Sequence, residues 1–264
     1  MPKLGQHFLK NHGVLVLIAS SLDIRDNDVV IEVGAGHGEL TQELKTESLK
    51  LKSGGVKIIA IEKDPELAEL LKKKFAGDSQ IEIIEGDALK VIPRLVGSLK
   101  LQVTSYKLVG NIPYYLTGKL LRTIGELPNK PAVCVFTIQK EVAERIVAQP
   151  PHMNRLAASA GFWARAEIIG RLPRADFNPP PNVDSAIIKL TAMPLDTETN
   201  QKDYYRAVRA LFSQPRKTVL NNLAGKKICS KEELIKKLRD INLEHNIRPQ
   251  NLTLENIAQI ARIF

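Results

Sequence analysis

The chain has 264 residues, 44% of them apolar and 25% charged, which is the composition of a folded protein with one large and one small domain and excludes wholesale disorder. Its two cysteines, Cys134 and Cys229, fall in different regions and make neither a disulfide framework nor a metal cluster, so a reduced, cytoplasmic protein without a catalytic metal is expected. The net charge of +9 is uneven: residues 1–200 hold 25 Lys/Arg against 23 Asp/Glu, and residues 201–264 hold 13 against 6. So basic a tail suits a polyanion, most plausibly nucleic acid, although solvated lysine-rich helix faces give the same count.

In chain order, VLVLIASSL (14–22) is too short to span a bilayer and leads to no small-residue cleavage site; it predicts a buried helix. Short β-branched runs follow: VVIEV (29–33), VKIIAIE (56–62), IEIIEG (81–86), YKLVG (106–110) and AVCVFTI (132–138). Helical patterns such as ELTQELKTESL and PELAELLKKKF separate them. Continuous apolar strands alternating with helices predict a parallel sheet covered on both faces. RAEIIGRL (165–172) and SAIIKLTAM (185–193), joined by PRADFNPPPNVD, add an antiparallel pair at one edge and bring the strands to seven. The polar stretch 194–203 reads as a linker, and YYRAVRALF, EELIKKLRDI and LENIAQIARIF beyond it have helical periodicity. The expected division is an α/β domain over 1–195 and a helical, basic domain over 196–264.

The polar residues gather at strand ends. After the first strand, EVGAGHGEL places glycines at 34, 36 and 38, which allow a sharp turn and a close approach to a ligand at the following helix N-terminus. A dinucleotide fingerprint needs glycine at 39, where Glu39 stands, and no hydride-transfer residues accompany it, so an oxidoreductase is disfavoured. Glu62 ends the second strand, where a carboxylate can accept ribose hydroxyls; Asp87 follows the third, as a helix N-cap or a partner for an adenine amine. GNIPYYLTG (110–118) follows the fourth: an amide, a stiff proline and an aromatic face at the end of a core strand, where a plain turn needs none of them. Ligands in open α/β sheets bind beyond these carboxyl ends.

The order E-x-G-x-G-x-G, strand-end Glu, GDA, N-I-P-Y resembles S-adenosylmethionine-dependent methyltransferases acting on amino nitrogen. LGQHFL (4–9), IQKEVAERIVA (138–148), FNPPPNVDSAIIKL (177–190) and LFSQPRKTVLNNL (211–223) narrow the resemblance to the ribosomal RNA adenine N6,N6-dimethyltransferases, from about residue 3 to the C-terminus. PPPNVDS and QPRKT favour the small-subunit branch over the erythromycin-resistance relatives that modify large-subunit RNA. The resemblance implies a seven-stranded, Rossmann-like class I methyltransferase sheet, S-adenosylmethionine as cofactor, and an assembling small ribosomal subunit as partner of a monomer. It implies that His7 and Leu9 close over the methionine end of the cofactor, that Gly34 and Gly36 lie under it, and that Glu62 holds the ribose and Asp87 the adenine. Asn111, which would also touch the cofactor, and Pro113 would then face the target amine, with Tyr114 and Phe177 stacking on its base, and Arg216 and Lys217 meeting phosphate, as Lys226, Lys227, Lys236, Lys237 and Arg239 could as well. A non-catalytic assembly factor is the rival from another class, although its descent would be expected to erode motifs that are intact here. Tyr115, Leu116, Thr117 and Gly118 depart from the family's usual Asn-Ile-Ser-Ser/Thr, and Asn154 from its usual glycine; these positions lie toward the substrate.

Overall fold

The computed structural model describes residues 7–51, 55–98, 106–193, 198–225 and 230–263. Cys229, Lys226, Lys227 and residues 194–197 of the expected linker lie outside them. The elements run β1 (Phe8–Leu9), α1 (His12–Ser20), β2 (Val29–Val33), α2 (Glu39–Ser48), β3 (Lys57–Glu62), α3 (Pro65–Lys74), β4 (Ile81–Glu85), α4 (Ala88–Ser98), β5 (Tyr106–Asn111), α5 (Thr117–Glu126) and β6 (Val133–Gln139). Then come α6 (Lys140–Ile146), α7 (Arg155–Gly161), β7 (Ala164–Leu172), β8 (Phe177–Asn178), β9 (Ser185–Ala192), α8 (Gln201–Leu211), α9 (Val219–Ala224), α10 (Lys231–Asp240) and α11 (Leu254–Ile263).

Seven strands form one sheet in the order β4-β3-β2-β5-β6-β9-β7. The first five in that order are parallel, with β2 paired to both β3 and β5, and β9 lies antiparallel to β6. The apolar runs explain this: every residue of β2 and all but the first of β3 are buried, as strands covered on both faces require. The chain winds from β2 outward to β4, then returns to β5 on the other side of β2. That reversal opens a crevice beyond the ends of β2 and β5.

Helix α1 forms where VLVLIASSL predicts a helix, with Asn11 as its N-cap, but it is half-buried: Leu15, Ile18 and Ala19 face the core, whereas Val16 and Leu17 are exposed. A second, two-stranded sheet joins β1 to β8, pairing Phe8 with Asn178 and Leu9 with Phe177. Lys10 N–H donates to the Asp176 carbonyl at 2.9 Å and Asn11 Nδ2 to Asp176 Oδ1 at 3.0 Å, so the N-terminal segment is tied to the 173–184 connection. Cys134 is buried in β6, and burial pushes its thiol well above the ordinary value, the behaviour of an inert packing residue.

The chain divides into two compact units, one of residues 1–143 with 167–192 and the other of 144–166 with 193–264. The expected boundary at 195/196 leaves residues 144–166 with the sheet; here they join the helices. The reason lies in Tyr204 of α8, fully buried, whose hydroxyl donates to the Ala158 carbonyl at 3.0 Å and whose ring lies 4.5 Å from that of Phe162. Gly161 completes the fit, since a Cβ there would stand 2.6 Å from Leu254 of α11. Asn154 serves the local backbone. Its side chain caps α7, accepting from Leu156 and Ala157 N–H, while its Nδ2 donates to the Arg145 carbonyl at 2.8 Å.

Candidate active site

A pocket lies over the ends of β2, β3 and β5 and the turn after β4, within the sheet unit. Its wall contains His7, Gly34, Gly36, Glu62, Asp87, Asn111, Pro113, Tyr114 and Phe177, so nine of the ten strand-end residues expected from the sequence converge. Leu9 is the exception. It belongs to the core beneath the sheet, and Phe8 stands in the wall instead. Successive residues of a strand point to opposite faces, so β1 can offer only one of the two to the pocket.

After β2 the backbone turns on Gly34 (φ +73°) and Gly36 (φ +60°), a left-handed region that other residues enter at a cost. At Gly36 a side chain has no room either, because a Cβ would stand 3.0 Å from the Phe8 ring. Glu62 is buried but not idle. Its Oε2 accepts from Gly36 N–H at 2.9 Å, and its Oε1 from Lys63 and Asp64 N–H, both at 2.8 Å. A carboxylate has about four acceptor sites; three are filled here, which leaves the spare capacity on Oε2.

Behind it, buried Glu32 accepts from the Thr41 hydroxyl at 2.6 Å. Burial, reinforced by the nearby charges of Glu62 and Glu39 and opposed by the Thr41 hydrogen bond and Lys74, pushes its carboxyl from the ordinary 4.5 to about 8. Burial thus favours the neutral form of Glu32 behind Glu62. Asp87 combines both readings offered by the sequence. Its Oδ1 caps α4 by accepting from Leu89 N–H at 3.0 Å, while its Oδ2 faces the pocket-lining Lys63 at 3.6 Å.

At the end of β5, Asn111 Nδ2 donates to the His7 carbonyl at 2.6 Å. A carbonyl cannot donate, so this contact fixes the amide orientation and leaves Oδ1 of this pocket-wall residue as an acceptor met by no donor among the described residues. Leu116 N–H already donates to the Pro113 carbonyl at 2.8 Å, closing the turn that follows. Tyr114 is anchored through its hydroxyl, 3.1 Å from Ser185 Oγ, and its ring faces that of His7 with centroids 6.1 Å apart. The His7 ring is fixed in turn by a 2.8 Å contact from Nδ1 to the Pro179 carbonyl, which requires the proton on Nδ1. Phe177 is both core and wall, 1% exposed and bordering the pocket.

Phe8, Lys63 and Lys119 are wall residues that the sequence did not single out for this site, and Tyr115, noted in the sequence only as a departure on the substrate side, joins them. Lys63 follows Glu62 directly and could have been suspected; Phe8 sits in GQHFL but only the β1–β8 pairing shows which way it points. Among the described residues no cluster of His, Cys, Asp or Glu could hold a metal ion.

In the helical unit, Arg216 and Lys217 are exposed in the turn between α8 and α9 and pair with no carboxylate among the described residues. Buried Asn222 holds that turn: its Oδ1 accepts from Ser213 Oγ at 3.1 Å and Gln214 N–H at 3.0 Å, and its Nδ2 faces the carbonyls of Gln214, Lys217 and Thr218 at 3.1–3.2 Å. Lys237, by contrast, is paired with Glu233 at 3.1 Å.

A glycine turn, a strand-end carboxylate and a pocket-wall amide at the switch point of a seven-stranded sheet define a class I, S-adenosylmethionine-dependent methyltransferase. The family model of ribosomal RNA adenine dimethylases matches residues 1–264, and the chain belongs to that family. It is 37% identical over 265 residues to the ribosomal RNA small subunit methyltransferase A of Dehalococcoides mccartyi, covering 99% of this chain and 87% of the relative. Among solved structures it resembles a dimethyladenosine transferase from Plasmodium falciparum with a TM-score of 0.78 at 27% identity, over 96% of both chains. It also shares its fold with the 23S rRNA methyltransferase ErmE, with a TM-score of 0.72 at 22% identity over 97% and 98% of the two chains.

Proposed function

We propose that this protein transfers methyl groups from S-adenosylmethionine to N6 of adenine in small-subunit ribosomal RNA, twice per base, on two adjacent adenosines near the 3′ end of the RNA in an assembling subunit. The observation that carries the reading is the Asn111 amide in the pocket wall, held through Nδ2 by the His7 carbonyl so that its oxygen is left as an acceptor. The small-subunit target follows the name of the Dehalococcoides relative.

The residues present fit the cofactor. Gly34 and Gly36 keep the turn bare, Glu62 Oε2 has capacity for a ribose hydroxyl, and Asp87 with Lys63 borders the place for a purine. Bound there, S-adenosylmethionine supplies an electrophilic methyl group on a sulfonium. The chain's own work is to hold the nucleophile. An exocyclic adenine amine is weak because its lone pair is delocalised into the ring. Asn111 Oδ1 accepts one N6 hydrogen and the Ile112 carbonyl the other, which turns the lone pair out of the ring plane; the Pro113 carbonyl suits this less, being engaged by Leu116. Tyr114, pinned by Ser185, offers a ring face to a base taken out of its RNA stack, with Phe177 as the second apolar wall. After the first transfer only one N6 hydrogen remains, so one acceptor suffices for the second.

Arg216 and Lys217 contact RNA phosphate, giving affinity without sequence choice. We read the protein as a monomer, and a ribosomal RNA substrate suits a cytoplasmic location. Among the described residues no helix is long and apolar enough to cross a membrane.

The test uses small subunits lacking adenine dimethylation, incubated with methyl-labelled S-adenosylmethionine, with large subunits and Asn111→Ala in parallel. Label in N6,N6-dimethyladenosine of small subunits alone, lost in the variant, is the expected result. Unlabelled small subunits despite measurable cofactor binding would leave an assembly factor without chemistry.

A further inference from the structure

Two residues at the mouth of the pocket take no part in holding the cofactor or the target amine. Tyr115 is 60% exposed although it borders a pocket whose other aromatic residues, Phe8, Tyr114 and Phe177, are wholly or partly buried. Among the described residues its hydroxyl meets no hydrogen-bond partner and its ring meets no other ring. Lys119, also in the wall and exposed, lies in the first turn of α5, which follows the turn that holds Tyr115. It makes no ion pair among the described residues, whereas its neighbour Arg122 is bound to Glu126 at 2.9 Å. Gly118, just before Lys119, faces open space, since a Cβ there would meet nothing within 4 Å.

An exposed ring and an unpaired cation in one pocket wall are the composition of platforms that hold single-stranded nucleic acid. Taking a base out of its stack also strips one stacking face from the base next to it. A ring at the mouth of the pocket can replace that lost face.

We propose that Tyr115 and Lys119 form a subsite for the nucleotide adjoining the target adenosine, the ring stacking on its base and the ammonium meeting the phosphate that joins the two. The inference rests on the pocket being a site of adenosine N6 methylation. Stacking accepts any base, so the subsite raises affinity and fixes the strand without selecting sequence.

The test compares wild type, Tyr115→Ala, Tyr115→Trp and Lys119→Gln in methylation of small subunits lacking dimethyladenosine. Affinity for those subunits is measured in the same proteins by filter binding with S-adenosylhomocysteine present. Tyr115→Ala is expected to raise KM for subunits by about tenfold while kcat and affinity for S-adenosylmethionine stay near wild type. Tyr115→Trp, with a larger ring, restores KM. Lys119→Gln flattens the dependence of log KM on log salt by about 0.7. The subsite is overturned if Tyr115→Ala binds and methylates subunits within about twofold of wild type, or if Tyr115→Trp is as weak as Tyr115→Ala. Wild-type protein that binds subunits but leaves them unlabelled would sink the methylation reading instead, and the binding comparison would still decide the subsite.

Discussion

The sheet unit and the helical unit both bury polar side chains, with opposite results. In the sheet unit, Glu62 and Asn111 are tied to backbone groups, and each keeps an acceptor oxygen with spare capacity. In the helical unit, Asn222 turns both ends of its amide inward to hold a backbone turn, and the groups it serves, Arg216 and Lys217, stand in solvent. The difference follows from what each is proposed to meet. Methyl transfer needs an acceptor fixed within a fraction of an ångström. A phosphate backbone needs only cations on a surface of constant shape.

Substitutions can break this contrast, and the largest effect belongs to the sheet unit. Asn111→Ala removes the unmet acceptor and frees the His7 carbonyl, and single-turnover methylation should slow by about a hundredfold or more. A variant near wild-type rate would show that the amide is only a strap for the N-terminal segment.

Next comes Glu32→Gln, which tests whether the neutral carboxyl behind the site limits stability. Glu32 has a folded pKa of about 8 against an ordinary 4.5, so the stability it allows is fully present below pH 4.5 and lost as pH rises through 8. Glutamine cannot ionise and still accepts from Thr41. Thermal or urea unfolding should therefore show wild type losing stability relative to the variant over that window, by up to about 1.4 kcal/mol per pH unit. Parallel pH profiles would mean that Glu32 is ionised in the folded protein.

In the helical unit, Asn222→Leu leaves carbonyls and an N–H of the 213–218 turn without partners and should destabilise the protein by about 2 kcal/mol in urea titrations. RNA affinity should fall with it, although no charge is removed. Arg216→Ala with Lys217→Ala should do the reverse: stability unchanged, RNA affinity down about tenfold at physiological salt, and the salt slope reduced by roughly 1.5. An unchanged slope would take the phosphate contacts elsewhere on the unit.

Much of the sheet was legible in advance because its central strands are apolar and its edge strands β4 and β7 still carry β-branched runs. All seven runs became strands whose ends differ from the sequence reading by at most one residue. The tips at Gly34, Gly36, Glu62, Asp87 and Asn111 were legible for a related reason: each interrupts an apolar run with a polar or flexible residue. What stayed hidden depends on contacts distant in sequence. A two-residue strand such as β1 or β8 has no period, so their pairing, and with it the exchange of Leu9 for Phe8 in the pocket wall, left no local trace. Residues 144–166 joined the helical unit through Tyr204, far along the chain, with no change of composition to mark the departure. Asn222 looked like one polar residue among several in VLNNLAG. Val16 and Leu17 lie in a run so uniformly apolar that it carries no sign of which face meets water.

The position of β9 has a consequence for synthesis. In chain order β9 follows β7, yet in the sheet it lies between β6 and β7. While the ribosome has released the chain only as far as β7, the outer edge of β6, from Val133 to Gln139, lacks its antiparallel partner, and β7 has no strand to join. An apolar edge left bare in this way is a template for pairing with other chains. Phe177, the pocket's apolar wall, emerges in the same interval. The nascent protein therefore passes through a window in which its sheet is open and its pocket incomplete, and the stretch from Leu172 to Ala192 closes both.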